Sequence, residues 1–351
     1  MNPKSQVRVS VMVGSGGRGR ASIGDVARLA GVSPATVSRV SMRTDNVKPA
    51  TRQKVLAAMD VLGYAPNHAA RALRYGNFGT IGVIAHHLSL TGESLTVEAV
   101  VEAARREGFT VSLLDIENPS SEGVDQAVQH LNHQSIDGLI IIRAETVTPT
   151  SLSLPPRLPV MVSDSRFVGH HPTVGADQTA GSRDAVNHLL QLGHRTVHHV
   201  AGPRNSGPAA LRRDAWEADI RAAGREVPPV FQGDWTPGSG YAAGLRVGDD
   251  PEVTAVFCAN DEMAVGVMQA LHDRGVGVPN EVSVVGFDDI PLAGFLTPRL
   301  TTVHQDFITI GARLFELLLR QIQGDDVPSH HLVPAPLVVR ASTAPRATRS
   351  R

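Results

Sequence analysis

The stretch IGDVARLAGVSPATVSRV, residues Ile23 to Val40, predicts two short helices joined by a tight turn. Ser22 and Asp25 have the spacing of a capping box, in which each side chain satisfies a backbone N–H of the other at a helix start. Gly31 supplies the left-handed conformation that a sharp turn needs after that helix. The predicted inner face of the first helix consists of Val26, Leu29 and Ala30.

The second helix of this stretch has the features of a DNA-recognition helix. Ser33 is placed as its N-cap and Pro34 as its first residue, where the missing N–H costs no hydrogen bond. Val37 and Val40 have the spacing of buried residues. In helix-turn-helix proteins the N-terminal end of this helix meets base edges and phosphates. The residues expected to face outward near that end are Pro34, Ala35, Thr36, Ser38 and Arg39.

A third helix is predicted from about Pro49 to Leu62, with Gly63 as its stop. An ordinary amphipathic helical hairpin is the alternative interpretation, and the distribution of charge argues against it. Residues 1–76 hold twelve Lys or Arg and three Asp or Glu, a formal charge of +9, whereas the remainder carries −10. A small basic head on an acidic body is typical of a protein whose head binds phosphates.

The composition bounds the remaining classes of protein. A chain of 351 residues with 42% hydrophobic residues is long enough for two or three globular domains. The single cysteine, Cys258, excludes an internal disulfide and a cysteine metal cluster, and it favours a cytoplasmic location. No apolar run is long enough to span a membrane, and the N-terminus lacks a signal-peptide core. Gly14, Gly16 and Gly19 match a nucleotide-binding spacing, but a flexible tail fits their surroundings better.

From Thr80 onward, strand-like apolar runs alternate with helical stretches, which predicts parallel sheets covered by helices on both faces. The length from 80 to 343 fits two such lobes with a cleft between them. Ligands bind beyond the carboxyl ends of the strands in open α/β sheets. The polar residues expected in the cleft are Asp164, Asn260 and Asp288, which follow strand-like runs, Arg212 on a helix, and Trp235 in a loop.

Each of these polar side chains also has a structural interpretation, because Asp and Asn after a strand often cap helices or form turns. Asp261 and Asp289 are the better cap candidates, since helical stretches or turns follow them. Arginine, asparagine and aspartate beside an aromatic ring suit a polyhydroxylated ligand. The fifteen histidines lack metal-ligand spacing, so no metal or other cofactor is predicted, and the absence of a nucleophile elbow or P-loop argues against an enzyme.

The motifs taken together resemble the lactose/galactose repressor (LacI/GalR) family of bacterial transcription regulators. The match runs nearly collinearly from about Ser22 to Thr343, through IGDVARLAGVSPATVSRV, TRQKVLAAMDVLGYAPNHAARAL, IDGLII, LLQLGHRTVHHVAGP, LRRDAW, GDW, CANDEMAVGVMQAL, GVPNEVSVVGFDD and LTTVHQDF. The fold that the resemblance implies is an all-α helix-turn-helix headpiece followed by an α/β, two-lobed, periplasmic-binding-protein-like sensor domain with doubly wound parallel sheets.

The resemblance also implies roles for individual residues. Base contacts fall on Pro34, Ala35 and Arg39, with Ser33 and Ser38 near phosphates. The segment NHAARALR, residues 67–74, resembles a hinge helix that folds on the operator and inserts a leucine into the minor groove. A plain linker is the alternative. The hinge contacts implied are Asn67, Ala70, Arg71 and Leu73, and the effector contacts are His86, Asp164, Arg212, Trp235, Asn260, Asp288 and Phe307, with Gln305 near the lobe crossover.

These expectations divide the chain into five consecutive segments. The predicted parts are a disordered Gly/Arg-rich tail at 1–20, the headpiece at 21–66, the hinge helix at 67–76, the effector-binding and dimerisation domain at 77–343, and a second tail at 344–351. The N-lobe is expected at about 77–176 and 305–335, and the C-lobe at about 177–304 and 336–343. Since the last residues show no leucine heptad, a homodimer rather than a coiled-coil tetramer is predicted.

The predicted function is that of a DNA-binding regulator, a repressor that binds a palindromic operator as a dimer. A small-molecule effector, for which a sugar is the first candidate, is expected to release or modulate it. A purine or another metabolite is the alternative effector. A sugar-binding protein without a DNA role is the alternative class, and the basic head argues against it. The partners expected are therefore double-stranded operator DNA, the effector and a second copy of the chain, with no membrane.

Overall fold

The computed structural model describes residues 21–41, 47–64, 78–86, 88–116, 121–133, 135–142, 157–163 and 171–346. The chain divides into two compact units, Met1–Gly76 and Asn77–Arg351. The predicted tail at 1–20 and the predicted hinge helix at 67–76 lie outside the described residues, as do residues 347–351 of the predicted C-terminal tail.

The first unit contains three described helices: α1 (Ile23–Ala30), α2 (Pro34–Ser41) and α3 (Pro49–Leu62). The capping box is confirmed, since the Ser22 hydroxyl accepts the Asp25 N–H at 3.3 Å and the Asp25 carboxylate accepts the Ser22 N–H at 2.9 Å. Gly31 ends α1 with a φ of 66°, and Gly63 ends α3 with a φ of 59°. The buried residues shared by the three helices are Val26, Ala27, Val37, Val40, Val55, Ala58 and Met59.

The predicted inner face of α1 was wrong at one position. Leu29 is 53% exposed, whereas Ala27, which the pattern had left outside, is buried. Residues 26, 27 and 30 lie within about 100° of one another on a helical wheel, and this face packs against the other two helices. The small side chain of Ala27 lets the helices approach closely, and Leu29 then lies beyond the edge of the contact.

The second unit begins with a first lobe built on a six-stranded parallel sheet with the order β11-β5-β4-β3-β1-β2. Its strands are β1 (Thr80–Ala85), β2 (Thr110–Asp115), β3 (Gly138–Ile142), β4 (Val160–Ser163), β5 (Thr173–Ala176) and β11 (His330–Val333). Its helices are α4 (Thr91–Arg106), α5 (Ser121–His133) and α10 (Phe307–Ile322). Strand β3, GLIII, is buried at every position, as expected for a central parallel strand.

The second lobe is built on a four-stranded parallel sheet with the order β7-β6-β8-β9. Its strands are β6 (His198–Ala201), β7 (Phe231–Gln232), β8 (Ala255–Cys258) and β9 (Ser283–Val285). Its helices are α6 (Gln178–Gln191), α7 (Gly207–Ala222), α8 (Pro237–Gly248), α9 (Asp261–Asp273) and the short 3-10 helix Pro291–Phe295. Strands β10 (Thr302–Val303) and β12 (Leu337–Val338) pair antiparallel and form a separate two-stranded sheet.

Three passages between the lobes position the cleft. The chain leaves the first sheet after β5 and enters α6 at Gln178, and it returns from β10 to α10 through Gln305. A third passage connects β11 to β12, and the Asp177 N–H donates to the Val333 carbonyl at 2.9 Å beside it. The passages therefore run next to one another, which is the geometry of a hinge between two lobes.

Glycines hold α8 against α9 at van der Waals contact between backbones. A Cβ placed on Gly240 would lie 2.1 Å from the Met263 carbonyl oxygen, and one on Gly266 would lie 2.0 Å from the Pro237 carbonyl oxygen. No side chain fits at either position, so the start of α8 is fixed relative to the start of α9. Within the described part of the chain, no helix combines the length and the apolar character needed to cross a membrane.

Candidate DNA-recognition surface and effector cleft

Helix α2 carries the predicted recognition residues, and the exposed ones extend from its first turn to Arg39 in its last turn. Pro34, Ala35 and Arg39 are exposed, while Thr36 and Ser38 are half-buried. Val37 and Val40 on the opposite face are buried in the head, so the orientation of the exposed face is fixed by the core. This surface has the geometry of a helix that enters a DNA groove.

Ser33 acts as the predicted cap of α2. Its hydroxyl accepts the Thr36 N–H at 3.2 Å and lies 3.0 Å from the Thr36 hydroxyl. Among residues 21–41 and 47–64, five Lys or Arg face two Asp, so the described head is basic. The hinge residues Asn67, Ala70, Arg71 and Leu73 lie outside the described residues, and their DNA contacts stay predictions.

A cavity of about 60 Å³ lies between the two lobes at the carboxyl ends of β3, β4 and β5. This is the edge at which open α/β sheets bind ligands. Its described lining residues are Gly92, Glu93, Thr96, Ile142, Ser163, Gly175, Ala176, Gln178, Pro208, Arg212, Gln305, Phe307 and Ile310. Of the seven predicted effector residues, Arg212 and Phe307 are in this set. Asp164 lies outside the described residues, although Ser163 before it lines the cavity.

Arg212 on α7 is the central charged group of this site and is only 1% exposed. Its Nε donates to the Gln178 Oε1 at 2.7 Å, and its Nη1 donates to the Ala259 carbonyl oxygen. The guanidinium also lies over the Phe287 ring, 3.8 Å from its centroid. Its Nη1 is 3.4 Å from the Asp288 carboxylate, so the buried charge has an opposite charge beside it.

Asp288 is presented by an unusual backbone. Asp288 has a φ of 113° and Asp289 a φ of 55°, a backbone region that residues other than glycine seldom adopt. The surrounding contacts hold this turn: Arg340 pairs with Asp289 at 2.6 Å, and the buried Asp261 carboxylate accepts the Ile290 N–H at 2.9 Å. Burial, together with the nearby Asp288 carboxylate, raises the pKa of Asp261 well above its ordinary value.

Trp235 and Asn260 lie together on the second-lobe side of the site. Trp235 is 2% exposed with a φ of 75°, and its ring is 5.5 Å from the Arg212 guanidinium. The Asn260 Oδ1 accepts the Met263 N–H at 3.0 Å, and its Nδ2 donates to the Trp235 carbonyl at 3.0 Å. Asn260 is therefore the N-cap of α9, and the expectation that Asp261 would cap this helix was wrong.

Local backbone geometry explains why Asn260 rather than Asp261 caps α9. The cap must have extended backbone and an acceptor directed at the third residue beyond it, and Asn260 has both, with φ −149° and ψ 169°. Asp261 is the first helical residue, and its side chain turns inward to the Asp288–Ile290 turn instead. An effector contact by Asn260 stays a prediction, since its side chain already serves the helix and the Trp235 carbonyl.

His86 lies at the end of β1, where it is buried and its Nδ1 is 2.7 Å from the Ile116 carbonyl oxygen. It is not among the described residues that line the cavity. Among the lining residues without a sequence signal are Glu93, a buried acid in the first turn of α4, and Gln178, which follows the cap of α6. An acid in a first turn is ordinary in sequence, so only the tertiary structure places Glu93 at the cleft.

A helix-turn-helix head joined to a two-lobed domain of parallel sheets around a cleft defines a ligand-responsive DNA-binding regulator. Residues 22–67 match the lacI family of bacterial regulatory proteins, and residues 186–343 match the periplasmic binding protein-like domain. The chain belongs to the lacI family and is a DNA-binding transcriptional regulator.

Individual relatives agree with this assignment. The chain is 32% identical over 330 residues to the ribose operon repressor of Escherichia coli K12, covering 92% of this chain and all of that protein. It is 32% identical over 312 residues to the transcriptional repressor PurR of Haemophilus influenzae, covering 87% and 92%. The crystal structure of the Lac repressor dimer bound to operator and the anti-inducer ONPF is similar with a TM-score of 0.81 and 32% identity, covering 93% of this chain and 100% of that chain.

Proposed function

We propose that this regulator represses transcription by binding a palindromic operator as a homodimer, and that a sugar bound in the cleft changes its affinity for the operator. The observation that carries the proposal is Arg212, a buried guanidinium beside a carboxylate at a cavity between two lobes. The relatives that repress the ribose and lactose operons support a sugar effector. Since it acts on DNA, we also propose that it works in the bacterial cytoplasm.

The chemistry of the cleft suits a neutral polyhydroxylated molecule. A guanidinium donates in a planar fork and a carboxylate accepts, so Arg212 and Asp288 together match adjacent hydroxyl groups, which do both. Phe307 adds an apolar ring on the opposite lobe, against which the C–H face of a sugar packs. We propose further contacts from Asp164, Trp235, Asn260 and His86, as the family resemblance implies, and binding without turnover.

On the DNA side, we propose that Arg39 supplies the main base contact. Pro34 and Ala35 offer few hydrogen bonds to bases, whereas an exposed arginine donates bidentately to guanine. Ser33, Thr36 and Ser38 are proposed to lie near phosphates, and the hinge residues Asn67, Ala70, Arg71 and Leu73 to contact the minor groove.

The test is a thermal-shift screen of the full-length protein with D-ribose, lactose, cellobiose and hypoxanthine, followed by operator binding in the presence of each hit. We expect a sugar to raise the melting temperature and to change operator affinity by about 5- to 150-fold. A response to hypoxanthine alone would replace the sugar with a purine, consistent with the similarity to PurR. Recovery of chemically altered sugar after incubation would refute binding without turnover.

The variant Arg212→Ala tests whether Arg212 belongs to the effector site, and Arg213→Ala on the same helix is its control. Arg213 pairs with Asp214 near the surface, whereas Arg212 lies at the cavity. We expect Arg212→Ala to abolish the response to the sugar found in the screen while operator binding is retained. The Arg213→Ala variant should respond like the wild type. An unchanged response in Arg212→Ala would remove Arg212 from the effector site.

A further inference from the structure

Four buried side chains form a closed ring at the base of the cleft. Arg212 donates to Gln178 at 2.7 Å, Gln178 Nε2 donates to Gln305 Oε1 at 2.9 Å, and Gln305 Nε2 donates to Asp288 Oδ1 at 2.5 Å. Asp288 and Arg212 close the ring at 3.4 Å. Each of the four residues is more than nine-tenths buried, with exposed fractions between 1% and 9%.

The hydrogen bonds of the ring all point the same way, from donor to acceptor, starting at Arg212 and ending at Asp288, and the two glutamines make this possible. Arginine only donates and an ionised aspartate only accepts, so the residues between them must each accept on one side and donate on the other. A glutamine amide does both in one rigid plane. Rotating either amide by half a turn would set donor against donor or acceptor against acceptor within a buried network, which is costly.

The glutamines also lie at two of the three passages that connect the lobes. Gln178 is the first residue of α6, directly after the chain leaves the first sheet, and Gln305 lies between β10 and α10, where the chain returns. Their mutual hydrogen bond therefore joins one passage to the other. Arg212 and Asp288 belong to the second lobe; Arg212 lines the cavity that the proposed effector occupies, and Asp288 lies 3.4 Å behind it.

We infer that Gln178 is a positioning residue that ties the orientation of Arg212 to the second passage at Gln305, and through it to the angle between the lobes. The inference deepens the proposed function and rests on it, since it treats Arg212 and Asp288 as effector contacts. A hydroxylated ligand that draws Arg212 or Asp288 toward itself changes the hydrogen bonds available to both glutamines. Occupancy of the cleft is thereby transmitted to the two passages without direct contact by the ligand.

The test measures the lobe arrangement without any effector, by single-molecule energy transfer on the full chain. One dye is attached at Gln129→Cys on α5 of the first lobe and the other at Ala218→Cys on α7 of the second, both exposed positions. The native Cys258 is fully buried and does not compete for the dyes. Doubly labelled chains are diluted into unlabelled protein, so that a dimer carries one labelled copy.

Three variants separate the role of the ring from general stability. Gln178→Leu removes both ring bonds, whereas Gln178→Glu keeps an acceptor for Arg212 but cannot donate to Gln305. Gln321→Leu is the matched control, because Gln321 is also a glutamine hydrogen-bonded inside this domain, accepting the Val160 N–H at 3.1 Å away from the passages.

We expect both Gln178 variants to raise the population of other lobe arrangements by about fivefold or more, the factor that a net buried hydrogen bond is worth. Gln321→Leu should stay within about twofold of the wild type on the same scale. A wild-type distribution in Gln178→Leu, or an equal change in Gln321→Leu, would overturn the inference. Wild-type behaviour of Gln178→Glu would overturn the link to Gln305. A screen that finds no sugar leaves this measurement unaffected, so the two proposals fail separately.

Discussion

The buried imidazole of His199 predicts a measurable part of the acid sensitivity of this protein. His199 stacks between Trp216 and Phe257, with ring centroids 5.2 and 5.0 Å away. Its Nδ1 donates to the Phe257 carbonyl oxygen at 2.9 Å, and within the described part of the chain its Nε2 has no hydrogen-bond partner. Burial, together with the nearby Arg212 and Arg213 charges, lowers the pKa of His199 from 6.5 to about 4.

The sign of the effect follows from which state binds the proton. Below pH 6.5 the unfolded chain protonates this imidazole, while the folded protein keeps it neutral until the pH approaches 4. The free energy of unfolding therefore carries no penalty from His199 above pH 6.5, and it decreases as the pH falls toward 4. A tenfold difference in proton affinity is worth about 1.4 kcal/mol, so the loss amounts to about 2 kcal/mol by pH 5 and about 3 kcal/mol at the limit.

His199→Leu removes the titration and keeps an apolar side chain in the core. The variant loses the hydrogen bond to Phe257 and should be about 1–2 kcal/mol less stable than the wild type at pH 7. Because the variant lacks the acid penalty, its unfolding free energy should equal that of the wild type between about pH 5 and 6 and exceed it near pH 4.

The assay is chemical denaturation at half-unit steps from pH 7.5 to 4, at one fixed protein concentration because dimer stability depends on concentration. His272→Gln, at an exposed position in the last turn of α9, is the control for removing any histidine. Parallel curves for the wild type and His199→Leu across this range would refute the argument from burial. The same convergence in His272→Gln would show that the effect does not belong to His199.

Three further predictions concern the head, the predicted hinge and the Trp235 ring. Arg39→Ala should weaken binding to the preferred operator by about 1–3 kcal/mol and relax base preference, measured on operator variants at one salt concentration. Arg28→Ala on α1, 80% exposed and paired with Asp25, should lower affinity equally for all sequences, and an equal profile for both variants would refute the role of α2. Leu73→Ala should weaken specific operator binding more than nonspecific binding, and equal losses would contradict the minor-groove role. Gly202→Ala should displace the Trp235 indole, since a Cβ there would lie 2.5 Å from the ring, and the tryptophan emission spectrum should shift; an unchanged spectrum would refute the close contact.

The elements that the sequence predicts well are those set by local chemistry. The capping box at Ser22, the left-handed turn at Gly31 and the stop of α3 at Gly63 each depend on a few neighbouring residues, and the structure has them where expected. The strand-like runs agree for a similar reason, because buried parallel strands are continuously apolar. Leu29 failed because the width of a helix contact depends on the partner helices, which a single helix pattern does not specify.

The parts that sequence patterns missed depend on distant contacts. Helix α8, PGSGYAAGLRVG, has four glycines and a proline, a composition that argues against a helix in isolation. It forms because α9 packs on it where those glycines lie. The glutamine pair that joins the lobe passages connects residues 127 positions apart, so no local spacing reveals it.

The contact between α8 and α9 has a practical consequence for altering the specificity of this protein. Trp235 and Asn260 lie at the starts of two helices whose backbones touch at Gly240 and Gly266, so the backbone that supports the Trp235 ring beside Arg212 is rigid. A mutant library aimed at new ligands should therefore leave both glycines fixed and vary the side chains that line the cavity. Randomising the glycines would mostly yield chains that fail to fold, whereas substitutions at the lining residues change the pocket surface on an unchanged backbone.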